Sequence, residues 1–190
     1  MSKKRKQDNN IRSKYKRFLK MSNIPLWLDA YDDIFSDFDS RPYSQRALSD
    51  DFLAEAKRAS RDKVSGKIEL QLLMPNKKRD KKLEDLIKRR LRGHFTKHFK
   101  MLSNEKKKIV NLGLSFFTVS IFIMFFTTLI LFRYQQTSMF FTFLSVLLEP
   151  AGWFLFWEGL NTTIFGSKEL DSDLAFYKKM TNCEVTFWSY

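Results

Sequence analysis

Glu149 is the residue whose type and position most strongly suggest a chemical role. It lies about ten residues into an apolar stretch, residues 139–160, that is long enough to enter a membrane. A charge near the middle of a bilayer is costly, so such residues face a protein interior, water or a partner. Neither this stretch nor the apolar residues 109–132 contain Lys, Arg or His. We therefore expect Glu149 to be protonated, grouped around an oligomer axis, or hydrogen-bonded to hydroxyls of the other stretch. The candidate hydroxyls are those of Ser115, Thr118 and Ser120.

Two roles for Glu149 are consistent with this position. A carboxyl inside a membrane can take part in permeation, proton movement or gating. Alternatively, its hydrogen bonds fix a bend at the neighbouring Pro150, since proline has no N–H to continue a helix. Under either interpretation, Glu149 and Pro150 form a candidate intramembrane polar site.

Other residues that could carry chemistry occur in incomplete sets. His94 and His98 stand four residues apart, a spacing that zinc sites use, but the chain has only these two His and a single Cys, Cys183. No metal site is therefore predicted. We find no glycine-rich phosphate loop, no Gly-x-Ser-x-Gly elbow and no paired nucleophile and base. The sequence predicts neither an enzymatic activity nor a cofactor.

Residues 77–108 form a strongly basic stretch with fourteen Lys or Arg side chains. The stretch leads directly into the apolar residues 109–132. Positive charges this close to a membrane surface each gain about 1 kcal/mol from anionic lipid headgroups. Nucleic acid is not favoured as a partner, because no base-stacking motif or zinc-finger spacing accompanies the charges. A simpler interpretation is that the charges serve only topology and solubility. The residues predicted to bind anionic headgroups are Lys88, Arg89, Arg90, Arg92, Lys97, Lys100, Lys106, Lys107 and Lys108.

The composition of the chain narrows its class. The 190 residues carry a net charge of +13 and include 20 Phe, 6 Gly and a single Cys. These numbers exclude a collagen, a disulfide-stapled secreted domain and a largely disordered chain. The apolar residues are concentrated in two long stretches, which indicates a membrane protein.

The two apolar stretches are predicted to form a transmembrane hairpin. Residues 109–132 contain no charged side chain and exceed the roughly 20 residues with which a helix crosses about 30 Å of hydrocarbon. Residues 139–160 are predicted to form a second helix, kinked at Glu149 and Pro150, with a re-entrant segment as the alternative. A short non-cytosolic link, residues 133–138, joins the two helices.

The distribution of positive charge predicts the orientation of the hairpin. Lys106, Lys107 and Lys108 directly precede the first helix, whereas the link contains only Arg133. Because positive flanks stay in the cytosol, we expect a two-pass protein of the inner or plasma membrane with both termini cytosolic. Residues 1–20 are basic but lack the apolar core of a signal peptide, so targeting is expected to come from the apolar stretches.

The polar parts of the chain are predicted to form the cytosolic region. Residues 1–20, with nine basic and one acidic side chains, are predicted to be a flexible arm. Residues 21–108 are predicted to be an α/β region, and residues 161–190 to complete it with a helix and a strand. The predicted helices cover residues 23–36, residues 49–59, a segment from Arg79 onward with candidate bends at Gly93 and Ser103, and residues 168–180. The predicted strands cover residues 67–74 and 184–190.

A lone strand leaves its backbone N–H and C=O groups unpaired. The two predicted strands are therefore expected to pair with each other, either within one chain or between subunits. Pairing within one chain closes a small domain from both sides of the hairpin. The predicted fold class is thus an α+β membrane protein, in which a two-helix transmembrane hairpin carries a small cytosolic α+β domain built from both termini.

The expected function follows from this architecture. Two helices are too few to enclose a pathway, so a pore or transporter requires an oligomer. We expect an oligomeric membrane protein whose cytosolic domain controls membrane permeability or signalling through the hairpin. The alternative is a non-conducting anchor or adaptor that binds anionic headgroups and recruits a cytosolic protein partner.

Overall fold

The computed structural model of the chain describes residues 21–61, 67–134 and 138–190. The predicted arm, residues 1–20, and residues 135–137 of the predicted link lie outside the described residues. The strands are β1 (Met21–Trp27), β2 (Lys67–Met74) and β3 (Glu184–Ser189). The helices are α1 (Asp50–Arg61), α2 (Lys81–Tyr134), α3 (Met139–Asn161) and α4 (Asp171–Thr181). Short 3-10 turns cover Tyr31–Ile34 and Asn76–Lys78, and a π-helical turn covers Thr162–Gly166.

The three strands form one parallel sheet in the order β1-β2-β3. β2 lies at the centre and pairs with β3 so that Leu70 is opposite Val185. The pairing predicted between these two strands is therefore confirmed, and it occurs within one chain. The alternation predicted for β2 is also confirmed, because every second side chain is buried. The buried residues of β2 are Ile68, Leu70, Leu72 and Met74.

The amphipathic helix predicted for residues 23–36 is wrong. The first part of this segment is β1, which pairs with the second edge of β2, and only Tyr31–Ile34 forms a single 3-10 turn. Pro25 is tolerated because β1 is an edge strand, where a missing N–H does not break the sheet. The apolar residues recur at helical spacing, yet a strand followed by a turn buries the same side chains. These are Ile24, Leu28, Tyr31, Ile34 and Phe35.

The helices next to the sheet form close to their predicted positions. α1 begins at Asp50, and α4 covers most of the predicted residues 168–180. α2 begins after Asp80, whose carboxylate accepts the N–H of Lys82 at 2.8 Å and so acts as an N-cap. It continues through Gly93 and Ser103 without a break, and the bends predicted there stay a prediction. Helix residues buried in the common core include Phe52, Ala56, Ile87, Leu91, Phe95, Phe176 and Met180.

The chain divides into two compact units. The sheet unit contains the described part of residues 21–99 together with residues 175–190. The hairpin unit, residues 100–174, contains the apolar part of α2 and all of α3. Two helical stretches, residues 81–133 and 139–166, are long and apolar enough to cross a membrane. Segments from both sides of the hairpin therefore belong to the same unit.

A buried ion pair connects three segments of the sheet unit. Glu84, buried in the first turn of α2, accepts a hydrogen bond of 2.7 Å from Nε of Arg79. Arg79 also donates from Nη2 to the carbonyl oxygen of Phe187 in β3, at 3.2 Å. The hydroxyl of Tyr31 accepts the N–H of Asp80 beside this pair, at 2.8 Å. The pair therefore links the turn after β1, the start of α2 and strand β3.

Replacing Arg79 with Ala is expected to destabilise the sheet unit. The Glu84 carboxyl would be left buried without its partner, which costs about 3–5 kcal/mol in a fully buried pair. Because the Arg79 side chain is 25% exposed, we expect a loss nearer to ~2–3 kcal/mol in the free energy of unfolding. Denaturant titration of the detergent-solubilised protein, followed by near-UV circular dichroism, measures this loss.

The matched control is Arg58→Ala, which breaks the exposed pair between Arg58 and Glu55 on α1. Exposed pairs contribute about 0–1 kcal/mol, so this variant should unfold almost like the wild type. Equal effects of the two substitutions would show that the pair of Arg79 and Glu84 has no special structural role.

Candidate functional site

Small residues recur at every seventh position along both helices of the hairpin unit. A spacing of seven keeps residues on one face of a helix and is the repeat of left-handed helix packing. All six of these residues are buried, and together we call them the small-residue stripes. They are Gly113, Ser120 and Thr127 in α2, and Ser145, Gly152 and Gly159 in α3.

The two helices meet backbone to backbone at Gly113 and Gly159. A Cβ atom placed on Gly159 would lie 2.7 Å from the backbone nitrogen of Phe117 and 2.8 Å from the carbonyl oxygen of Gly113. Any side chain larger than hydrogen would therefore force the helices apart. Small residues allow the close approach on which helix association in lipid depends, since the hydrophobic effect does not drive helices together there. At this level, the hairpin has no room for a path between its own two helices.

Within the hairpin unit, the exposed surface of residues 112–132 and 139–157 is largely apolar. A soluble monomer rarely exposes so large an apolar area, which instead suits a lipid or protein environment. Exposed hydroxyls on this surface donate to carbonyls of their own helix, as Thr128 does to Met124 at 2.9 Å. The exposed large side chains include Phe122, Phe125, Phe126, Leu129, Phe140, Phe143, Val146, Leu147, Trp153, Phe154 and Trp157.

Glu149 lies on this outward surface. Its side chain is exposed and forms no hydrogen bond or ion pair with the other residues that the structure describes. The three predicted hydroxyl partners are not brought to it. Ser115 donates to Leu112, Thr118 to Leu114 and Ser120 to Phe117, in each case to a carbonyl of the preceding helical turn.

The position of these hydroxyls along the hairpin explains why the predicted hydrogen bond does not form. The ring of Phe117 packs on that of Phe156, with centroids 5.0 Å apart, so this part of α2 is level with the end of α3. Gly152, closer to Glu149, packs instead on Ile123 and Met124. Within one chain, the Glu149 carboxyl is therefore left without a partner among the described residues.

Pro150 lies inside α3, which continues from Met139 to Asn161. Because proline has no N–H, the carbonyl oxygen of Val146 lacks the helical donor that residue 150 would otherwise supply. Val146 and Glu149 are both exposed and lie about one helical turn apart on this apolar surface. The kink that the sequence predicts here stays a prediction, and the polar site now consists of Glu149 and the backbone at Pro150.

Glu158, the second acidic residue of the apolar stretch, has a different environment. Its carboxylate accepts a hydrogen bond of 3.3 Å from the hydroxyl of Thr162, in the π-helical turn that follows α3. In the same turn, the hydroxyl of Thr163 donates to the carbonyl oxygen of Gly159 at 2.8 Å. Glu158 is thus satisfied within its own chain, in contrast to Glu149.

The nine basic residues predicted to bind lipid fall into two groups. Lys88, Arg90 and Lys106 have partners within the protein: Lys88 lies near Asp85, Arg90 donates to two loop carbonyls, and Lys106 pairs with Asp171. The other six are exposed and therefore accessible to an anionic partner, and one of them, Arg89, also donates from Nε to the carbonyl oxygen of Asp85 at 3.3 Å. In the sheet unit these are Arg89, Arg92 and Lys97, and in the hairpin unit they are Lys100, Lys107 and Lys108.

The two histidines belong to an aromatic stack in the sheet unit. The rings of His94 and His98 stack with centroids 4.1 Å apart, and Tyr177 stacks on His98 at 5.2 Å. Burial, together with the neighbouring positive charges, lowers the pKa of His94 to about 4, so its ring is neutral at physiological pH. Burial raises the pKa of the Cys183 thiol to about 11, which keeps it unreactive. In the described part of the chain, no three His, Cys, Asp or Glu side chains are placed to hold a metal ion.

No model of a known protein family, no curated protein and no solved structure matches this chain. The functional argument therefore rests on the hairpin, its outward carboxyl and the basic surface.

Replacing Gly159 with Ala is expected to destabilise the hairpin unit. The new methyl group would meet the backbone of Phe117 and Gly113, which cannot move aside as a flexible side chain would. Overpacking of this kind costs about 1–3 kcal/mol, so the thermal unfolding midpoint in detergent should fall.

The control is Gly93→Ala, the same chemical change at an exposed position of α2 where a Cβ has nothing within 4 Å. Alanine is favoured over glycine inside a helix by roughly 0.5–1 kcal/mol, so this variant should be equally stable or more stable. If Gly159→Ala were as stable as the control, the backbone contact between the two helices at Gly159 would be contradicted.

Proposed function

We propose that this chain is an integral membrane protein that assembles into oligomers, and that its sheet unit controls membrane permeability or signalling through the hairpin. The observation that carries the proposal is the outward position of Glu149 on an apolar surface. In hydrocarbon, a carboxyl without a partner is costly, and nothing in the described part of its own chain supplies one. A second copy is the simplest source of such a partner.

The close contact of the two helices supports the same conclusion. Gly113 and Gly159 bring the backbones together, so a conducting path has to form between hairpins. Assembly with Glu149 facing the shared axis would surround the carboxyl with protein and water instead of lipid. The same arrangement would place a titratable group next to any path through the oligomer.

The fold also supports a two-pass topology with both ends on one side of the membrane. Segments before and after the hairpin contribute to one sheet, and a folded sheet cannot have strands on opposite sides of a bilayer. The positive residues Lys106, Lys107 and Lys108 favour the cytosol for that side. We therefore propose an inner or plasma membrane protein with a cytosolic sheet unit.

A second candidate function is that of a non-conducting anchor or adaptor. The exposed Lys100, Lys107 and Lys108 favour it, because they directly precede the apolar part of α2, where anionic headgroups would lie. In this case, the sheet unit recruits a protein partner to the membrane. A measurement of flux separates the anchor from control of permeability, because only control of permeability requires flux across the bilayer.

Replacing Glu149 with Gln tests the proposed role of the carboxyl. Glutamine retains the shape and much of the hydrogen bonding of glutamate but has no titratable proton. We expect the variant to assemble like the wild type in nanodiscs and to lose proton or ion flux in liposomes. A loss of roughly tenfold corresponds to about 1.4 kcal/mol in the barrier. Glu149→Leu removes both the titratable proton and the hydrogen bonding, so it should also weaken assembly.

The control is Glu158→Gln, because Glu158 already has a partner in Thr162. Flux and oligomer mass should change little in this variant. Equal flux through the wild type, Glu149→Gln and Glu149→Leu would contradict a role of Glu149 in permeation. A wild-type protein that is monomeric in the bilayer and gives no flux above empty liposomes would favour the anchor.

A further inference from the structure

An open cleft lies on the sheet unit, between α2 and the loop that precedes α1. It has a volume of about 400 Å³ and is lined by Ser44 of the loop and by Leu86, Arg89, Arg90 and Gly93 of α2. Small-molecule sites have volumes of roughly 300–1,000 Å³. The cleft is therefore large enough for a small ligand.

A neighbouring hollow extends the cleft toward the beginning of α2. It has a volume of about 290 Å³ and shares Ser44 and Leu86 with the cleft. Its other lining residues are Arg41, Pro42, Tyr43, Arg46 and Leu83. The two arginines of this hollow form ion pairs with Asp39 and Asp32. Because these charges are compensated, the apolar side chains determine what the hollow can bind.

The loop wall of the cleft is held in place by contacts within the sheet unit. Arg90 donates from Nη2 to the carbonyl oxygens of Arg46, at 2.9 Å, and Gln45, at 3.3 Å. These hydrogen bonds attach the loop to α2. The ring of Tyr43 packs on that of Phe35 in the core, with centroids 5.0 Å apart. The cleft is therefore preformed and does not need a ligand to shape it.

The two arginines that α2 contributes to the cleft keep their positive charge uncompensated. Arg89 donates only from Nε, to the carbonyl oxygen of Asp85 at 3.3 Å, and Arg90 donates to the loop carbonyls. Neither forms an ion pair with a carboxylate in the described part of the chain, and there the hydroxyl of Ser44 has no hydrogen-bond partner. Two guanidinium groups and one hydroxyl are thus available to an anion.

We propose that this cleft binds a phosphate monoester with an apolar substituent. A phosphate monoester carries a charge of about −1.5 to −2 at neutral pH, which two guanidinium groups match better than they match the single charge of a carboxylate. Guanidinium groups also donate paired hydrogen bonds to phosphate oxygens. The apolar substituent would lie against Leu83 and Leu86 in the neighbouring hollow. This site goes beyond the proposed function, because it belongs to the sheet unit and requires neither an oligomer nor flux.

Calorimetric titration of the full chain with phenyl phosphate tests the proposal. In nanodiscs of neutral phosphatidylcholine, we expect this probe to bind more tightly than inorganic phosphate, which lacks the apolar ring. Arg89→Gln keeps a polar side chain but removes the charge, so Kd should rise at least roughly tenfold with the loss of charge-assisted hydrogen bonds. The absence of binding to the wild type would overturn the proposal. Equal affinities for phenyl phosphate and inorganic phosphate would overturn the apolar part of it.

Gly93→Leu tests the shape of the cleft without changing its charge. A Cβ at Gly93 has nothing within 4 Å, and leucine is a better helix former than glycine, so the variant should fold. Its side chain would occupy the cleft, and we expect phenyl phosphate binding to weaken as it does in Arg89→Gln. The matched control is Arg92→Gln, an exposed position of the same helix that does not line the cleft. Unchanged binding in Gly93→Leu, or an equal loss in Arg92→Gln and Arg89→Gln, would overturn the proposal in favour of diffuse charge attraction.

Two sources could supply such a ligand, a soluble phosphate monoester or the headgroup of phosphatidic acid, and a competition experiment separates them. The titration with phenyl phosphate is repeated in nanodiscs of phosphatidylcholine mixed with phosphatidic acid, and in nanodiscs mixed with an equal amount of phosphatidylglycerol. Phosphatidylglycerol is also anionic, but its headgroup is a phosphate diester. A lower affinity with phosphatidic acid than with phosphatidylglycerol identifies the lipid headgroup as the ligand. Equal affinities in the two membranes identify a soluble phosphate monoester.

Discussion

The parallel pairing of β2 with β3 is the constraint on which the rest of the structure depends. Met74 and Glu184 are separated by more than a hundred residues, and the whole hairpin unit lies between them. Once the two strands pair, the hairpin is an insertion whose two ends enter the same domain. The core formed by Leu70, Val185 and the helices stabilises this closure, and the ion pair of Arg79 with Glu84 adds a hydrogen bond to β3 through the carbonyl of Phe187. The proposed topology, with both termini on one side of the membrane, is a consequence of this single pairing.

A second constraint lies inside the hairpin. The small-residue stripes let the helices approach until the backbones at Gly113 and Gly159 are in contact. Each hairpin therefore has no space between its two helices at this level. Its polar hydroxyls donate within their own helices, and Glu158 is satisfied by Thr162. Glu149 is then an outward carboxyl without a partner in the described part of its own chain. The residues between the two helices thus serve to pack them together, and the proposed function involves the outer surface of the hairpin.

Much of the architecture could be predicted from local patterns, and the errors have physical causes. In β2, every second residue is apolar and buried, which is the pattern of a strand. The two apolar stretches are long enough to predict membrane-spanning helices. Neither prediction needs tertiary information. The sequence of β1 favours a helix because Ile24, Leu28 and Tyr31, which a strand and a turn bury, have the spacing that a helix would use. α2 continues through Gly93, because one glycine in a helix costs only about 1 kcal/mol and the neighbouring Leu91 and Phe95 are packed in the core. The stripes of Gly, Ser and Thr at every seventh position were visible in the sequence, but hydrophobicity alone does not reveal them. The outward position of Glu149 depends on how the two helices of the hairpin pack and could not be predicted from the residues next to it in the sequence.

Hydrogen exchange in a chain that ends before Glu184 tests the closure of the domain most directly. In the intact protein, the amides of residues 67–74 donate within the sheet and should exchange slowly. Removing Glu184–Ser189 and Tyr190 deletes one of the two neighbours of β2, so we predict faster exchange across residues 67–74 and in the helix residues around Phe95. Protection of residues 109–132 should be unchanged, since the hairpin packs on itself. Unchanged exchange across residues 67–74 would contradict the central claim that the strand after the hairpin completes the domain that precedes it.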